Sequence, residues 1–162
     1  MGARGQLASR RTIAERWFGH GRQLALGGDY EEALEPLERA LAYSVDETDL
    51  GFLARIRSWL GVTVAMTGGN TLRARNLCEE AIYVLPRDPE LYVNLARVLI
   101  QSERRELAMA CVETTLALDP ENAAAASMVR QFGQRKSPTV PFLNRKNPIN
   151  KYVGLLRQRF DK

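Results

Sequence analysis

The side chains in this sequence best suited to catalysis or metal binding are one histidine, His20, and two cysteines, Cys78 and Cys111. A histidine becomes a general base when a serine, cysteine or carboxylate is held beside it, and spacing fixes no such residue near His20. The cysteines stand in the apolar contexts NLCEEAI and AMACVET, with neither CxxC spacing nor a nearby histidine to complete a zinc site. We therefore predict no enzyme activity, no metal site, a core or edge histidine, and buried free thiols.

Motifs that cradle phosphates or activate nucleophiles do not occur in the chain: there is no P-loop, GxGxxG, HExxH or nucleophile elbow. The glycine pairs before Asp29 and Asn70 are interpreted as turns between helices. We therefore predict that the chain has no cofactor.

Composition favours an ordinary globular domain, with 45% hydrophobic and 26% charged residues in 162. No apolar run approaches the roughly 18 residues needed to span a bilayer. The basic N-terminus MGARGQLASRR is followed by charged residues where a signal peptide needs an apolar core. These features predict a cytoplasmic protein.

Charge is distributed unevenly along the chain. Residues 1–13 carry three arginines and no acid, and residues 130–162 carry nine basic side chains against one acidic one. The segment 14–129 between them has a net charge of −7. An acidic body with basic ends predicts electrostatic contacts, either within the chain or with a partner.

A repeating pattern organises the middle of the chain. Small residues recur where paired helices would approach closely, and large apolar residues lie between them; the small residues are Gly21, Ala33, Ala40, Ala74, Ala81, Ala96 and Ala108. Predicted helix starts are Thr12-x-x-Glu15, Asp29, Ser44-x-x-Glu47, Asp88-Pro89-Glu90 and Asp119-Pro120-Glu121. Residues 48–54 are predicted to lengthen one helix by about two turns at its N-terminal end, and Pro36 to bend another.

The pattern resembles the tetratricopeptide repeat family, whose 34-residue unit carries W-x2-L-G-x2-Y, then A-x3-F, then A and P. The resemblance rests on Trp17, His20, Gly21, Leu24, Gly28, Tyr30, Ala33, Leu37 and Ala40 in the first unit, then Gly69, Ala74, Cys78, Ala81 and Pro86, then Tyr92, Leu95, Ala96, Leu99, Ala108, Val112, Thr115 and Pro120. In the second unit, Ser58 and Val62 stand at the tryptophan and glycine positions.

The resemblance implies an all-α solenoid, a right-handed superhelix of antiparallel helix pairs. We expect a basic segment at 1–11 and a repeat domain at 12–134. Within that domain the units are about 14–47, 55–88 and 89–122, with a capping helix at about 120–132. A basic, proline-containing tail follows at 135–162.

The resemblance also implies a partner site along a concave surface made by the first helix of each unit. The positions carried over are Glu15, Phe18, Arg22, Ala25 and Leu26, then Ile56, Trp59, Thr63, Met66 and Thr67, then Glu90, Val93, Arg97, Ile100 and Gln101. The contacts selected from these are Phe18, Arg22, Ile56, Trp59, Thr63, Met66, Val93, Arg97 and Ile100. A one-residue change of register would instead pack Trp59 between helices. The residues of the chaperone-binding carboxylate clamp are absent, so we expect an apolar or amphipathic protein segment as the ligand.

The tail contains a second pattern. Apolar residues at helical spacing predict a short basic amphipathic helix at about 149–160, with contacts from Lys151, Tyr152, Leu156, Arg157, Arg159 and Phe160. This helix could dock on the chain's own acidic body, lie on an anionic membrane surface, bind nucleic acid, or fold on a partner. We favour docking on the body and give nucleic acid little weight.

Taken together, the sequence predicts a non-enzymatic adaptor, scaffold or chaperone-like module that binds a peptide or helix of another protein. The alternative is a peripheral membrane or nucleic-acid binder that acts through its tail, with the repeats as scaffold. Association with a second copy is left open, since a partner groove could be filled by another chain of the same kind.

Overall fold

The computed structural model describes residues 3–44 and 48–132, and every regular element within these ranges is an α-helix. Seven helices follow one another, joined by short turns. They are α1 (Ala3–Gly27), α2 (Tyr30–Tyr43), α3 (Leu50–Met66), α4 (Thr71–Val84), α5 (Pro89–Gln101), α6 (Arg105–Leu118) and α7 (Ala123–Phe132).

Several helix starts follow from short polar side chains that accept hydrogen bonds from the first free amides. Asp88 accepts from the Glu90 amide at 3.1 Å, and Pro89 occupies the first helical position of α5, as the sequence predicts. Asn70 accepts from the Arg73 amide at 3.0 Å to begin α4. These caps satisfy amides that have no partner inside the helix.

The predicted start of the third helix at Ser44 is wrong. Ser44 closes α2 instead, and its hydroxyl donates to the Ala40 carbonyl at 2.8 Å. Asp49 caps α3, accepting from the Phe52 amide at 3.0 Å. The α3 helix thus gains five residues before position 55, about one and a half turns.

Two other predicted starts also differ from the structure. Thr12 lies inside α1, which begins at Ala3. Pro120 lies in a turn between α6 and α7, and Asn122 caps α7 by accepting from the Ala125 amide at 3.1 Å.

Pro36 lies inside α2, on its buried face.

Packing follows the order of the chain. The helices form the antiparallel pairs α1/α2, α3/α4 and α5/α6; α3 also contacts α2 and α5, and α7 packs on α6. The small residues predicted at the helix contacts, from Gly21 to Ala108, are buried. The architecture is the all-α solenoid of stacked helix pairs that the sequence predicts.

Both cysteines belong to this core, and both are free thiols, as predicted. Burial raises the pKa of the Cys111 thiol to about 12, and burial raises the pKa of Cys78 further. Because the thiolate is the reactive form, burial makes both side chains structural residues.

Candidate functional site

The first helices of the three pairs, α1, α3 and α5, meet at one aromatic side chain. Trp59 of α3 lies beneath two guanidinium groups, that of Arg22 from α1 at 5.4 Å and that of Arg97 from α5 at 5.6 Å from the ring centroid. Each arginine is attracted to the electron-rich face of the indole. We call the surface formed by α1, α3 and α5 around this cluster the first-helix surface.

Polar contacts hold the two arginines differently. Arg22 forms an ion pair with Glu90, which joins α1 to α5 across α3. Arg97 donates to the Asn94 side-chain oxygen at 3.4 Å, and Asn94 donates to the Ser58 hydroxyl at 3.0 Å. Among the described residues Arg97 has no acidic partner, so its charge is available to a ligand.

Apolar side chains lie near the C-terminal ends of the same three helices. Leu26 lies one helical turn after Arg22 and is 54% exposed. Met66 near the end of α3 and Ile100 near the end of α5 are half-buried. The three side chains lie in the last turns of the three first helices, so the first-helix surface combines apolar contacts with an unpaired positive charge.

Leu26 is one of the concave-surface positions that the family resemblance implies, but it is not among the nine selected contacts. Its i+4 spacing from Arg22 also places it beside that arginine, because residues four apart share a helix face. The exposure of Leu26 could be determined only from the structure, because it depends on the rotation of α1 about its own axis relative to α3.

Four of the nine predicted groove residues are buried rather than exposed, which corrects the expected apolar stripe. Ile56 packs with Ala14, Ala40 and Phe52 between the first two helix pairs. Trp59 is 1% exposed, and Thr63 and Val93 lie in the core. Phe18 is half-buried, with its ring edge-to-face against that of Phe52 at 5.6 Å.

The register of α3 explains part of this difference. Gly61, rather than Val62, takes the place corresponding to Gly21, because a β-carbon at Gly61 would lie 2.7 Å from the Ala74 carbonyl oxygen. One residue turns a helix face by about 100°, so side chains assigned to the open surface of α3 rotate toward its neighbours. Arg22, Met66, Arg97 and Ile100 remain accessible among the predicted contacts.

The other predicted features lie apart from this surface. His20 is exposed on the outer side of α1, beside Trp17. All six predicted tail contacts, from Lys151 to Phe160, lie outside the described residues. Within residues 3–44 and 48–132, no group of three or more histidine, cysteine, aspartate or glutamate side chains could hold a metal ion. No helix in those ranges is long and apolar enough to cross a membrane.

Comparison with known proteins gives one positive result. Residues 65–132, from the end of α3 to the end of α7, match the family model described as Tetratricopeptide repeat. No curated protein matches the chain. The matched stretch contains the second helix of one pair, a complete pair and the helix that follows it. Together with the three antiparallel helix pairs and the further helix, this match supports a tetratricopeptide-repeat-type fold for the chain.

Proposed function

We propose that this chain is a non-enzymatic adaptor that binds a segment of a partner protein on its first-helix surface. Repeats of this family generally mediate protein–protein interaction, and the proposal assigns that activity to a particular face. The observation that carries it is the convergence of Arg22, Trp59 and Arg97 from three successive first helices.

The chemistry of the surface indicates the kind of segment it fits. Leu26, Met66 and Ile100 offer apolar contacts to an amphipathic peptide, and arginine beside apolar side chains is typical of residues that dominate binding energy. Arg97 fits a carboxylate of that peptide, because its guanidinium lacks an acidic partner in the described part of the chain. Arg22 is already paired with Glu90 and contributes less charge.

Affinity capture from native lysate with the full chain as bait tests the proposal. The baits are the unmodified chain and its variants Leu26→Glu and Arg97→Glu. We expect either change to reduce partner retention about tenfold or more, because a carboxylate placed among apolar contacts loses roughly 1.4 kcal/mol or more of binding free energy.

Leu72→Glu is the matched control, because Leu72 is 56% exposed on α4, outside the first-helix surface. All variants should keep the helical circular dichroism of the unmodified chain. A partner retained equally by the Leu26→Glu, Arg97→Glu and unmodified baits would refute the proposed site.

A further inference from the structure

A buried hydrogen-bond donor at the first-helix surface lacks an acceptor. Trp59 is 1% exposed, and its indole nitrogen Nε1 has no hydrogen-bond partner among the described residues. A buried tryptophan normally donates this hydrogen, because a hydrogen bond left unmade in the interior is costly. The unpaired indole nitrogen therefore leaves a place for an oxygen atom of a ligand.

Two arginine side chains cover this ring and also reach solvent. The Arg22 guanidinium lies 5.4 Å and the Arg97 guanidinium 5.6 Å from the ring centroid of Trp59. The Arg22 side chain is 40% exposed, and Arg97 is half-buried. Because both side chains contact the ring and solvent, movement of either one changes the accessibility of Trp59.

An ion pair with Glu90 holds Arg22 in this position. Glu90 lies on α5, so the pair links the first helix pair to the third. Its two side chains are 40% and 31% exposed. Ion pairs with this much exposure are weak, because water and salt compete for both charges. The Arg22–Glu90 pair can therefore open while the helix stack stays folded.

The two members of the pair differ in what stabilises them once it opens. Glu90 lies in the first turn of α5, where the free backbone amides favour a negative charge. Arg22 has Glu90 as its acidic partner among the described residues, so its charge is left unpaired. A carboxylate from a ligand can then take the place of Glu90 at Arg22.

We propose that the Arg22–Glu90 pair keeps the first-helix surface closed over Trp59, and that a carboxylate of the bound segment opens it by replacing Glu90 at Arg22. Once Arg22 turns toward the ligand, the Trp59 ring becomes an aromatic contact and its Nε1 donates to a ligand oxygen. This inference rests on the proposed function, because it describes how the segment bound there reaches Trp59. It also accounts for the burial of a predicted contact residue in the unbound chain.

Acrylamide quenching of tryptophan fluorescence tests the closed state without any ligand. The full chain would carry Trp17→Phe, so that Trp59 is the one tryptophan left of the two in the sequence. We expect weak quenching, and a Stern–Volmer constant about twofold larger or more with Glu90→Gln or Arg22→Gln, because the ion pair is removed. Acrylamide is uncharged, so quenching should also increase when the salt concentration is raised from about 50 to about 500 mM.

Glu80→Gln is the matched control. It removes the same charge and breaks the 3.8 Å ion pair between Arg57 and Glu80, which joins α3 to α4 rather than α1 to α5. All variants should keep the helical circular dichroism of the unmodified chain. Equal quenching with Glu90→Gln, with Glu80→Gln and without either change, at both salt concentrations, would overturn the proposal.

Peptides selected on the full chain from a phage-displayed library of random 16-residue sequences test the exchange at Arg22. Peptides whose binding is lost with Leu26→Glu bind the first-helix surface. Their affinity should rise about threefold or more with Glu90→Gln, because no ion pair has to open before Arg22 binds them. The rise should disappear when Arg22→Gln is also present, since the two side chains act as a pair.

The peptide experiment separates failure of this inference from failure of the proposed function. Peptides that are lost with Leu26→Glu, yet bind the Glu90→Gln chain no more tightly than the unmodified chain, would overturn the exchange and leave the proposed function standing. If no selected peptide responds to Leu26→Glu, the proposed function fails, and the exchange fails with it.

Discussion

At the scale of single residues, two glycines set how closely the paired helices approach. A β-carbon at Gly21 would lie 2.7 Å from a Leu37 side-chain atom, and one at Gly61 would lie 2.8 Å from the Cys78 sulfur. The sequence pattern predicts Gly21 but misses Gly61. Gly21 and Ala33 are twelve residues apart, whereas Gly61 and Ala74 are thirteen apart. Because of this additional residue, the close-contact glycine of α3 lies one position before the place that the repeat pattern assigns to it.

Replacing Gly61 by alanine should destabilise the fold by about 1–2 kcal/mol. Overpacking between α3 and α4 costs about 1–3 kcal/mol, and the better helix propensity of alanine returns up to about 1 kcal/mol. The free energy of unfolding from urea titration measures the change. Gly19→Ala is the matched control, because nothing lies within 4 Å of a β-carbon there, and it should raise stability. A Gly61→Ala chain as stable as the Gly19→Ala chain would contradict this account of the helix contact.

At the scale of elements, side-chain caps decide where helices begin. The sequence allows two serine- or threonine-based starts that the chain does not use, because Thr12 lies inside α1 and Ser44 closes α2. Pattern alone does not distinguish a serine that caps the next helix from one that closes the previous one. By contrast, α5 starts at Asp88-Pro89 as predicted, because the Asp88 carboxylate accepts from the Glu90 amide and Pro89 has no amide hydrogen to leave unpaired at the first helical position.

Asp49→Ala should lower the free energy of unfolding by about 1 kcal/mol, through loss of the cap on α3. Asp29→Ala should cost less, because Asp29 occupies the corresponding position before α2 without a side-chain cap hydrogen bond. Urea unfolding of both variants measures the difference. Equal losses, or a larger loss for Asp29→Ala, would contradict the assignment of the cap.

The Asp49 cap also predicts a pH dependence. The hydrogen bond from the Phe52 amide, followed by contacts with Arg11, lowers the pKa of Asp49 below its ordinary value of 3.8. The Asp49 contribution is therefore complete above about pH 4 and is lost as the pH falls through the lower folded-state pKa. The stability difference between the unmodified chain and Asp49→Ala should accordingly shrink below pH 4.

At the scale of the whole molecule, the repeat period predicts the three helix pairs and the final helix, because each unit carries its own close-contact residues and apolar residues. The repeat period does not predict that the guanidinium groups of Arg22 and Arg97 cover the ring of Trp59. That arrangement requires side chains of α1 and α5 to meet across α3, and no pattern within one repeat encodes contacts among three. The candidate site therefore differs from the predicted exposed stripe even though the fold agrees.

Site-specific photocrosslinking tests the central claim, that the first-helix surface binds the partner, most directly. The full chain would carry a benzophenone amino acid in place of either Leu26 or Leu72, two leucines of nearly equal exposure on different surfaces. After irradiation in native lysate, we expect a covalent adduct with a defined protein from position 26 and none from position 72. An adduct from position 72 with none from position 26 would contradict the claim.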